Sequence, residues 1–229
     1  MAPLIAFDLD GTLIDSQLDL AESANELLEA HGAGPLPVAV VAGMVGDGAR
    51  LLVERVLRGS NLGHLNLDLA LGQFLTIYDR RLAIHTRPYP GIVEALRAVS
   101  PRVALAVLTN KPAAPTNRLL EIFGLDGWFS AVVAGDSGFG RKPDPAGLRH
   151  LMAESGATAS QTLLVGDTMV DVDTGRRAGA RICVADYGFG RFKGGVVTSP
   201  GEWRAETPAA VLDCLLAFLD EADQNENPT

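Results

Sequence analysis

The stretch IAFDLDGTLIDS, residues 5–16, ends an apolar run with two aspartates. Asp8 and Asp10 stand two residues apart at the point where a strand would leave the core, and Gly11 and Thr12 follow at once. Like charges at such a short separation repel each other. A purely structural role therefore explains the pair poorly, and the rest of the chain has to supply a better reason.

Short β-rich runs recur along the chain and alternate with helical patterns. The predicted strands cover 4–9, 103–108, 131–134, 162–165 and 181–184. The predicted helices that follow them cover 91–99, 116–123, 145–154, 170–179 and 208–221. Nearly continuous apolar strands alternating with helices are typical of a parallel sheet covered on both faces. The sequence therefore predicts an α/β fold with a Rossmann-like parallel-sheet core.

One interval, residues 17–87, breaks this alternation because it shows no convincing strand. Amphipathic helical patterns occupy 18–31, 49–58 and 67–84. We therefore expect an all-helical cap domain over 17–87, inserted into a catalytic core formed by 1–16 and 88–229. The polar composition of DQNENPT predicts a disordered tail over 223–229.

Composition and charge restrict the partners of the chain. The 229 residues include 28 acidic and 19 basic side chains, a formal net charge of −9, without a long Lys/Arg block. This balance disfavours a nucleic-acid partner. Neither a secretory signal nor an apolar run of about 18 residues is evident, and the two cysteines form no spacing motif. These features predict a cytoplasmic protein without a membrane partner, in which local cations would have to capture any anionic substrate.

Polar side chains follow the other predicted strands as well. The second strand ends at Thr109 and Asn110, the loop after the third leads to Lys142, and the fourth precedes Asp167 and Asp171. In a parallel α/β sheet the carboxyl ends of the strands meet at one edge, where ligands bind. We therefore expect these side chains to lie near the aspartate pair.

The chemistry of this set suits phosphoryl transfer. Four carboxylates offer the oxygen ligands that Mg²⁺ prefers, and the histidines and cysteines show no spacing for a zinc site. A bound divalent ion would also relieve the repulsion between Asp8 and Asp10. Lys142 can neutralise a carboxylate or a phosphoryl oxygen, and the hydroxyl of Thr109 and the amide of Asn110 can donate to the same group.

The sequence resembles the haloacid dehalogenase superfamily of aspartate-nucleophile phosphatases. The stretch DLDGT matches its first motif, LTN its second, the lysine of RKPDP its third and GDTMVD its fourth, in the family's order. The helical insertion after the first motif corresponds to the family's helical cap. The stretches LTNKP, GDSGFGRKPDP and VGDGARLL further resemble those of the phosphoglycolate phosphatase branch.

The resemblance implies catalytic roles for the aspartate pair. Asp8 would be the nucleophile that forms an aspartyl-phosphate, and Asp10 would protonate the leaving alcohol and then deprotonate the attacking water. The Asp8 carboxylate, the Asp10 backbone carbonyl and Asp167 would bind Mg²⁺. Asp171 would support the ion directly or through water.

The resemblance also implies where the substrate binds. Thr109, Asn110 and Lys142 would hold the phosphoryl oxygens of a small anionic phosphoester. In the predicted cap, Gly46 and Arg50 are candidates for contact with the rest of the substrate. The substrate implied is 2-phosphoglycolate, although nothing in the cap sequence specifies glycolate.

Other functions remain open at this stage. One alternative is a phosphatase for another small phosphoester, or a phosphosugar mutase, on the same scaffold. An alternative of a different class is a receiver-like signalling module that accepts a phosphoryl group on an aspartate. Such a module would need neither the helical insertion nor an acid at Asp10. The oligomeric state is left undetermined.

Overall fold

The protein contains a parallel sheet, a helical insertion and a short connecting ribbon. The computed structural model describes residues 2–189 and 202–226. The strands are β1 (Leu4–Phe7), β2 (Ile14–Asp15), β3 (Arg87–Pro88), β4 (Ala104–Leu108), β5 (Ala131–Val133), β6 (Thr162–Gly166), β7 (Arg181–Ala185) and β8 (Trp203–Ala205). The helices are α1 (Gln17–Ala30), α2 (Val38–Ala42), α3 (Ala49–Gly59), α4 (Leu67–Arg81), α5 (Ile92–Val99), α6 (Ala113–Ile122), α7 (Ala146–Ser155), α8 (Met169–Ala178) and α9 (Ala210–Glu226). In the described part of the chain, every helix is too short or too polar to cross a membrane.

Six strands form one sheet in the order β5-β4-β1-β6-β7-β8, and all neighbouring pairs are parallel. The side chains of β1 are buried on both faces. Ile5 and Phe7 belong to one apolar cluster with side chains of α5 and α9, and Leu4 and Ala6 belong to another with side chains of α7. The predicted α/β class with a Rossmann-like core is therefore confirmed.

The segment between β2 and β3 is helical. Helix α1 packs against α2 and α4, and α3 packs against α4. Arg80 and Arg81 on α4 bind Glu26 and Glu22 on α1 at 2.6 and 2.7 Å. The sequence did not predict α2, since five residues are too few to show a helical period.

The two chain crossings between the sheet and the helical segment lie side by side. Strands β2 and β3 pair in antiparallel fashion, with Ile14 opposite Pro88. Asp19, fully buried on α1, accepts hydrogen bonds from the backbone N–H groups of His85 and Thr86 and from the Thr86 hydroxyl, the last at 2.6 Å. One carboxylate therefore joins the start of the helical segment to its end.

Replacing this carboxylate should destabilise the protein. In Asp19→Asn an amide NH₂ group replaces an oxygen that accepts hydrogen bonds from the N–H and the hydroxyl of Thr86. Because these donors would lose their acceptor, we expect a loss of about 3 kcal/mol in the free energy of unfolding. Chemical denaturation measures this loss. Asp79→Asn is the matched control, because Asp79 is exposed and pairs with Arg118 at the surface, where ion pairs contribute little. Equal stability of both variants would contradict the role given to Asp19.

The expected disordered tail over 223–229 is wrong in its first part. Helix α9 continues through Glu226. Arg102 binds Asp223 at 2.8 Å, and Ala222 is buried, so these contacts hold the last turns against the core. Residues 227–229 lie outside the described residues. The three-residue strand β8 was also missed, because so short a run carries no periodic signal.

Candidate active site

The site lies at the carboxyl edge of the three central strands. β1, β4 and β6 are neighbours in register, so the residues that follow them, Asp8, Thr109 and Asp167, come out at the same edge. The Asp8 N–H donates to the carbonyl of Val165 at 2.9 Å, which continues the strand pairing up to the site. The parallel topology therefore brings together residues that are far apart in sequence.

Lys142 lies between two buried carboxylates. Its Nζ is 2.9 Å from Asp8 Oδ1 and 2.5 Å from Asp171 Oδ1. Burial raises the pKa of Asp8 to about 6, although the charge of Lys142 acts in the opposite direction. Burial alone would lower the pKa of Lys142, but the charges of Asp171 and Asp8 hold it above its ordinary range. At neutral pH this environment leaves Asp8 mostly ionised beside a protonated lysine.

Three carboxylates at this edge could bind a metal ion. Asp8, Asp167 and Asp171 are all buried and each offers an oxygen within 4.8 Å of the others. Burying three carboxylates beside the single ammonium of Lys142 is unfavourable unless another cation is bound. An all-oxygen donor set suits a hard ion such as Mg²⁺. The residues therefore fit the metal implied by the sequence motifs.

Backbone and helix-end contacts position two of these carboxylates. Asp167 Oδ2 accepts from the N–H of Phe189 at 2.8 Å. Gly11 has φ +86°, and a Cβ there would lie 2.3 Å from Asp167 Oδ2, so only glycine fits beside the carboxylate. Asp171 accepts from the N–H and the hydroxyl of Thr168 at 3.0 and 2.6 Å, which caps α8. Helix capping and a place in the acidic cluster are thus compatible in Asp171.

Asp10 belongs to a different environment from the three clustered carboxylates. Its oxygens accept from Lys111 Nζ at 3.0 and 3.1 Å and from Ser16 Oγ at 2.5 Å. The Asp10 side chain therefore pairs with Lys111, while the Asp8 side chain pairs with Lys142. This orientation leaves only the backbone carbonyl of Asp10 as a candidate ligand for an ion in the Asp8 cluster.

Asn110 links the site loops to the helical segment. Its amide donates to the carbonyls of Gly46 at 2.9 Å and Lys142 at 3.0 Å, and its oxygen accepts from the Lys142 N–H at 2.8 Å. The side chain predicted to bind phosphate is thus occupied by backbone partners. Thr109 Oγ1 accepts from the N–H of Lys111 at 3.2 Å, which leaves its hydroxyl proton to donate.

A cavity of about 550 Å³, open to solvent, separates this edge from the helical segment. Its polar end carries the residues Asp8, Asp10, Thr109, Asn110 and Lys111, and most of its other wall is apolar. Of the two residues predicted to contact the substrate, Gly46 lines the cavity and Arg50 does not. Arg50 instead forms an ion pair with Asp68 at the surface. On α3 the neighbouring Ala49 faces the cavity, so the next side chain turns away from it.

Lys111 was not singled out from the sequence, although the stretch LTNKP places it directly after Asn110. Its side chain is buried and donates to Asp10 and to the hydroxyl of Tyr78 on α4, the latter at 2.7 Å. A lysine next to a strand-end motif is a feature from which a site residue could be predicted. The contact with Tyr78 depends on the packing of α4 and is not visible in the sequence.

Comparison with known proteins agrees with this fold. Residues 5–185 match the haloacid dehalogenase-like hydrolases, and the chain belongs to this family. The chain is 39% identical over 198 residues to a phosphoglycolate phosphatase of Rhodospirillum rubrum, covering 83% of this chain and 82% of that protein. It is 35% identical over 226 residues to phosphoglycolate phosphatase 1 of Pseudomonas aeruginosa, covering 96% and 80%.

Among solved structures, a predicted phosphoglycolate phosphatase from Haemophilus somnus superposes with a TM-score of 0.86 at 31% identity, covering 93% of this chain and 98% of that one. The predicted superfamily, the resemblance to phosphoglycolate phosphatases and the predicted enzyme class, a phosphoric monoester hydrolase, are confirmed by these matches.

Proposed function

We propose that this protein is a Mg²⁺-dependent phosphatase that hydrolyses 2-phosphoglycolate through a phosphorylated Asp8. The observation that carries the proposal is the separation of the two motif carboxylates. Asp8 contacts Lys142 within the acidic cluster, whereas Asp10, which is outside that cluster, contacts Lys111. In this proposal Asp8 attacks phosphorus and Asp10 moves protons.

The first step forms a bond between an Asp8 carboxylate oxygen and phosphorus while the bond from phosphorus to the ester oxygen breaks. Asp10 enters this step protonated and gives its proton to the departing alkoxide, so its ion pair with Lys111 is that of the ionised form that this step leaves. In the second step Asp10 takes a proton from water as the water oxygen attacks phosphorus. The bond from Asp8 to phosphorus then breaks, which releases phosphate and restores the Asp8 carboxylate.

The remaining residues neutralise charge. Lys142 stays protonated next to Asp8 and opposes the negative charge of the phosphoryl oxygens, and Thr109 can donate its hydroxyl proton to one of them. Asp8, Asp167 and Asp171 would hold Mg²⁺, with the Asp10 carbonyl as a further ligand. When bound, the ion supplies positive charge for both the carboxylates and the phosphoryl group.

The names of the relatives support the proposed substrate. The chain resembles phosphoglycolate phosphatases over most of its length. In this proposal the helical segment, residues 17–87, covers the site as a cap domain. The two cysteines, both buried and free, fit a reducing compartment such as the cytoplasm.

Release of inorganic phosphate from a panel of small phosphoesters tests the proposed function. We expect multiple turnovers with 2-phosphoglycolate and slower release from sugar phosphates. Isomerisation of a sugar phosphate without phosphate release would indicate a mutase. Phosphorylation without repeated turnover would indicate a signalling module, and either result would contradict the proposal.

The metal requirement gives a further prediction. Chelation should abolish turnover and added Mg²⁺ should restore it. Asp167→Asn removes one charge from the acidic cluster and should raise the Mg²⁺ concentration for half-maximal activity by at least about tenfold. The matched control is Asp173→Asn, because Asp173 lies on α8 outside the cluster. An unchanged Mg²⁺ requirement in the Asp167 variant would contradict the assignment.

A further inference from the structure

The polar end of the cavity contains a cationic side chain, Lys111, that has no contact with the substrate in the mechanism above. Lys111 is the one cationic side chain among the described residues that line the cavity. Its side chain is 5% exposed, and its Nζ contacts both Asp10 oxygens and the Tyr78 hydroxyl. Burial alone would lower the pKa of Lys111, but Asp10 and Tyr78 hold it above the ordinary range. Lys111 therefore remains protonated.

The hydroxyl hydrogen of Tyr78 is available to donate a hydrogen bond. An ammonium group only donates, so the Tyr78 oxygen accepts from Lys111 and its own hydrogen must point elsewhere. Tyr78 is 3% exposed and lines the cavity, and within residues 2–189 and 202–226 no acceptor for this hydrogen is found. Burial, the largest effect, raises the pKa of Tyr78 to about 12, so the hydroxyl stays protonated.

We propose that Lys111 and Tyr78 form a subsite that recognises a carboxylate on the alcohol part of the substrate and so determines specificity. This inference rests on the proposed function, because it assumes that the phosphoryl group sits at Asp8. A carboxylate would accept from the Tyr78 hydroxyl and share the charge of Lys111. Hydrogen bonds to a charged acceptor are the strong ones.

The location of the subsite limits the length of the substrate. Lys111 contacts Asp10, the group that would protonate the ester oxygen, so the recognised carboxylate must lie only a few bonds from that oxygen. The opposite wall contains Leu20, Leu52, Phe74 and Leu75, which offer no side-chain partners to hydroxyl groups. The cavity therefore favours a short phosphorylated hydroxy acid over a polyhydroxylated sugar phosphate.

Both halves of the molecule contribute to this subsite. Lys111 follows β4 in the sheet, whereas Tyr78 lies on α4 and stacks on Phe74 with ring centroids 5.9 Å apart. A ligand that binds both residues would hold the helical segment against the sheet edge. Recognition of the carboxylate would therefore also favour the covered form of the site.

Kinetic selectivity tests the subsite through a single-atom change. We expect Tyr78→Phe to lower the ratio of kcat/KM for 2-phosphoglycolate to kcat/KM for 2-hydroxyethyl phosphate by about 10- to 100-fold, mainly through KM. The second ester has nearly the same size but no carboxylate. Tyr89→Phe is the matched control, because Tyr89 is a largely buried tyrosine that does not line the cavity. Its selectivity ratio should equal that of the wild type.

Ligand binding separates this inference from the proposed function, because it requires no turnover. Calorimetry with Mg²⁺ present would compare 3-phosphonopropionate with propylphosphonate in the wild type, Tyr78→Phe and Lys111→Met, with circular dichroism to verify folding. We expect the wild type to prefer the carboxylate ligand by at least about tenfold and both variants to lose most of this preference. Equal preference in all three proteins would overturn the subsite, even if 2-phosphoglycolate is hydrolysed. A carboxylate preference without hydrolysis of any ester would instead overturn the proposed function.

Discussion

Asp8→Asn should lower kcat for phosphate release by more than about 10⁴-fold and prevent formation of a phosphoenzyme. An amide at position 8 cannot displace the alcohol from phosphorus, so the covalent route is lost. Loss of one charge from the acidic cluster would also weaken Mg²⁺ binding. Phosphate release under saturating Mg²⁺ and substrate measures the effect.

This variant should remain folded, which keeps the result interpretable. Lys142 keeps its contact with Asp171 when Asp8 is neutral. The pKa of Asp8 lies near 6, above its ordinary 3.8, so the folded metal-free protein binds this proton more tightly than the unfolded chain does. The ionised Asp8 therefore lowers stability as pH rises from about 4 through about 6, and the loss persists at higher pH.

In Mg²⁺-free buffer at pH 7, Asp8→Asn should consequently have a Tm no lower than that of the wild type. Asp15→Asn is the control for activity, since Asp15 is an exposed acid of the same stretch whose side chain contacts Gln17. It should retain wild-type turnover. Normal turnover in the Asp8 variant would eliminate the mechanism.

Asp10→Asn should lower kcat for 2-phosphoglycolate by about 10²- to 10⁴-fold, the usual contribution of general acid–base catalysis. The variant has no proton donor for the departing alkoxide. Acetyl phosphate should still phosphorylate Asp8, because its leaving group needs no proton. The phosphoenzyme should then persist, because no base activates the water.

Rapid chemical quenching of a single turnover resolves these two steps. The wild type should show brief accumulation of phosphoenzyme, and Asp10→Asn should show accumulation that decays slowly. Asp15→Asn should follow the wild-type time course. Rapid release of phosphate from acetyl phosphate by the Asp10 variant would show that another group activates water.

Much of the site could be predicted because topology alone brings it together. Asp8, Thr109 and Asp167 follow adjacent parallel strands, so recognising the strands was enough to place them at one edge. The positions of the motifs at strand ends were therefore enough to predict that their side chains lie close together. The same reasoning predicted the α/β fold, which depends on strong apolar runs.

The contacts across the cavity were not predictable in this way. Tyr78 reaches Lys111 from a helix 33 residues earlier in the chain, and only the packing of α4 decides which of its side chains face the sheet. Arg50 illustrates the same point, since a shift of one position on α3 separates a cavity residue from a surface ion pair. Which side chains of a helix face a distant partner depends on tertiary packing. The meeting of strand ends at one edge of the sheet follows from strands that can be recognised in the sequence.

Identification of the phosphorylated residue tests the central claim most directly. Asp10→Asn is incubated with acetyl phosphate and Mg²⁺, quenched, reduced with borohydride and analysed by peptide mass spectrometry, because borohydride converts an acyl phosphate to an alcohol. The account predicts homoserine at position 8, and none when Mg²⁺ is removed. Reduction at Asp167 or Asp171 instead, or an unmodified position 8 in an enzyme that still turns over, would contradict the account.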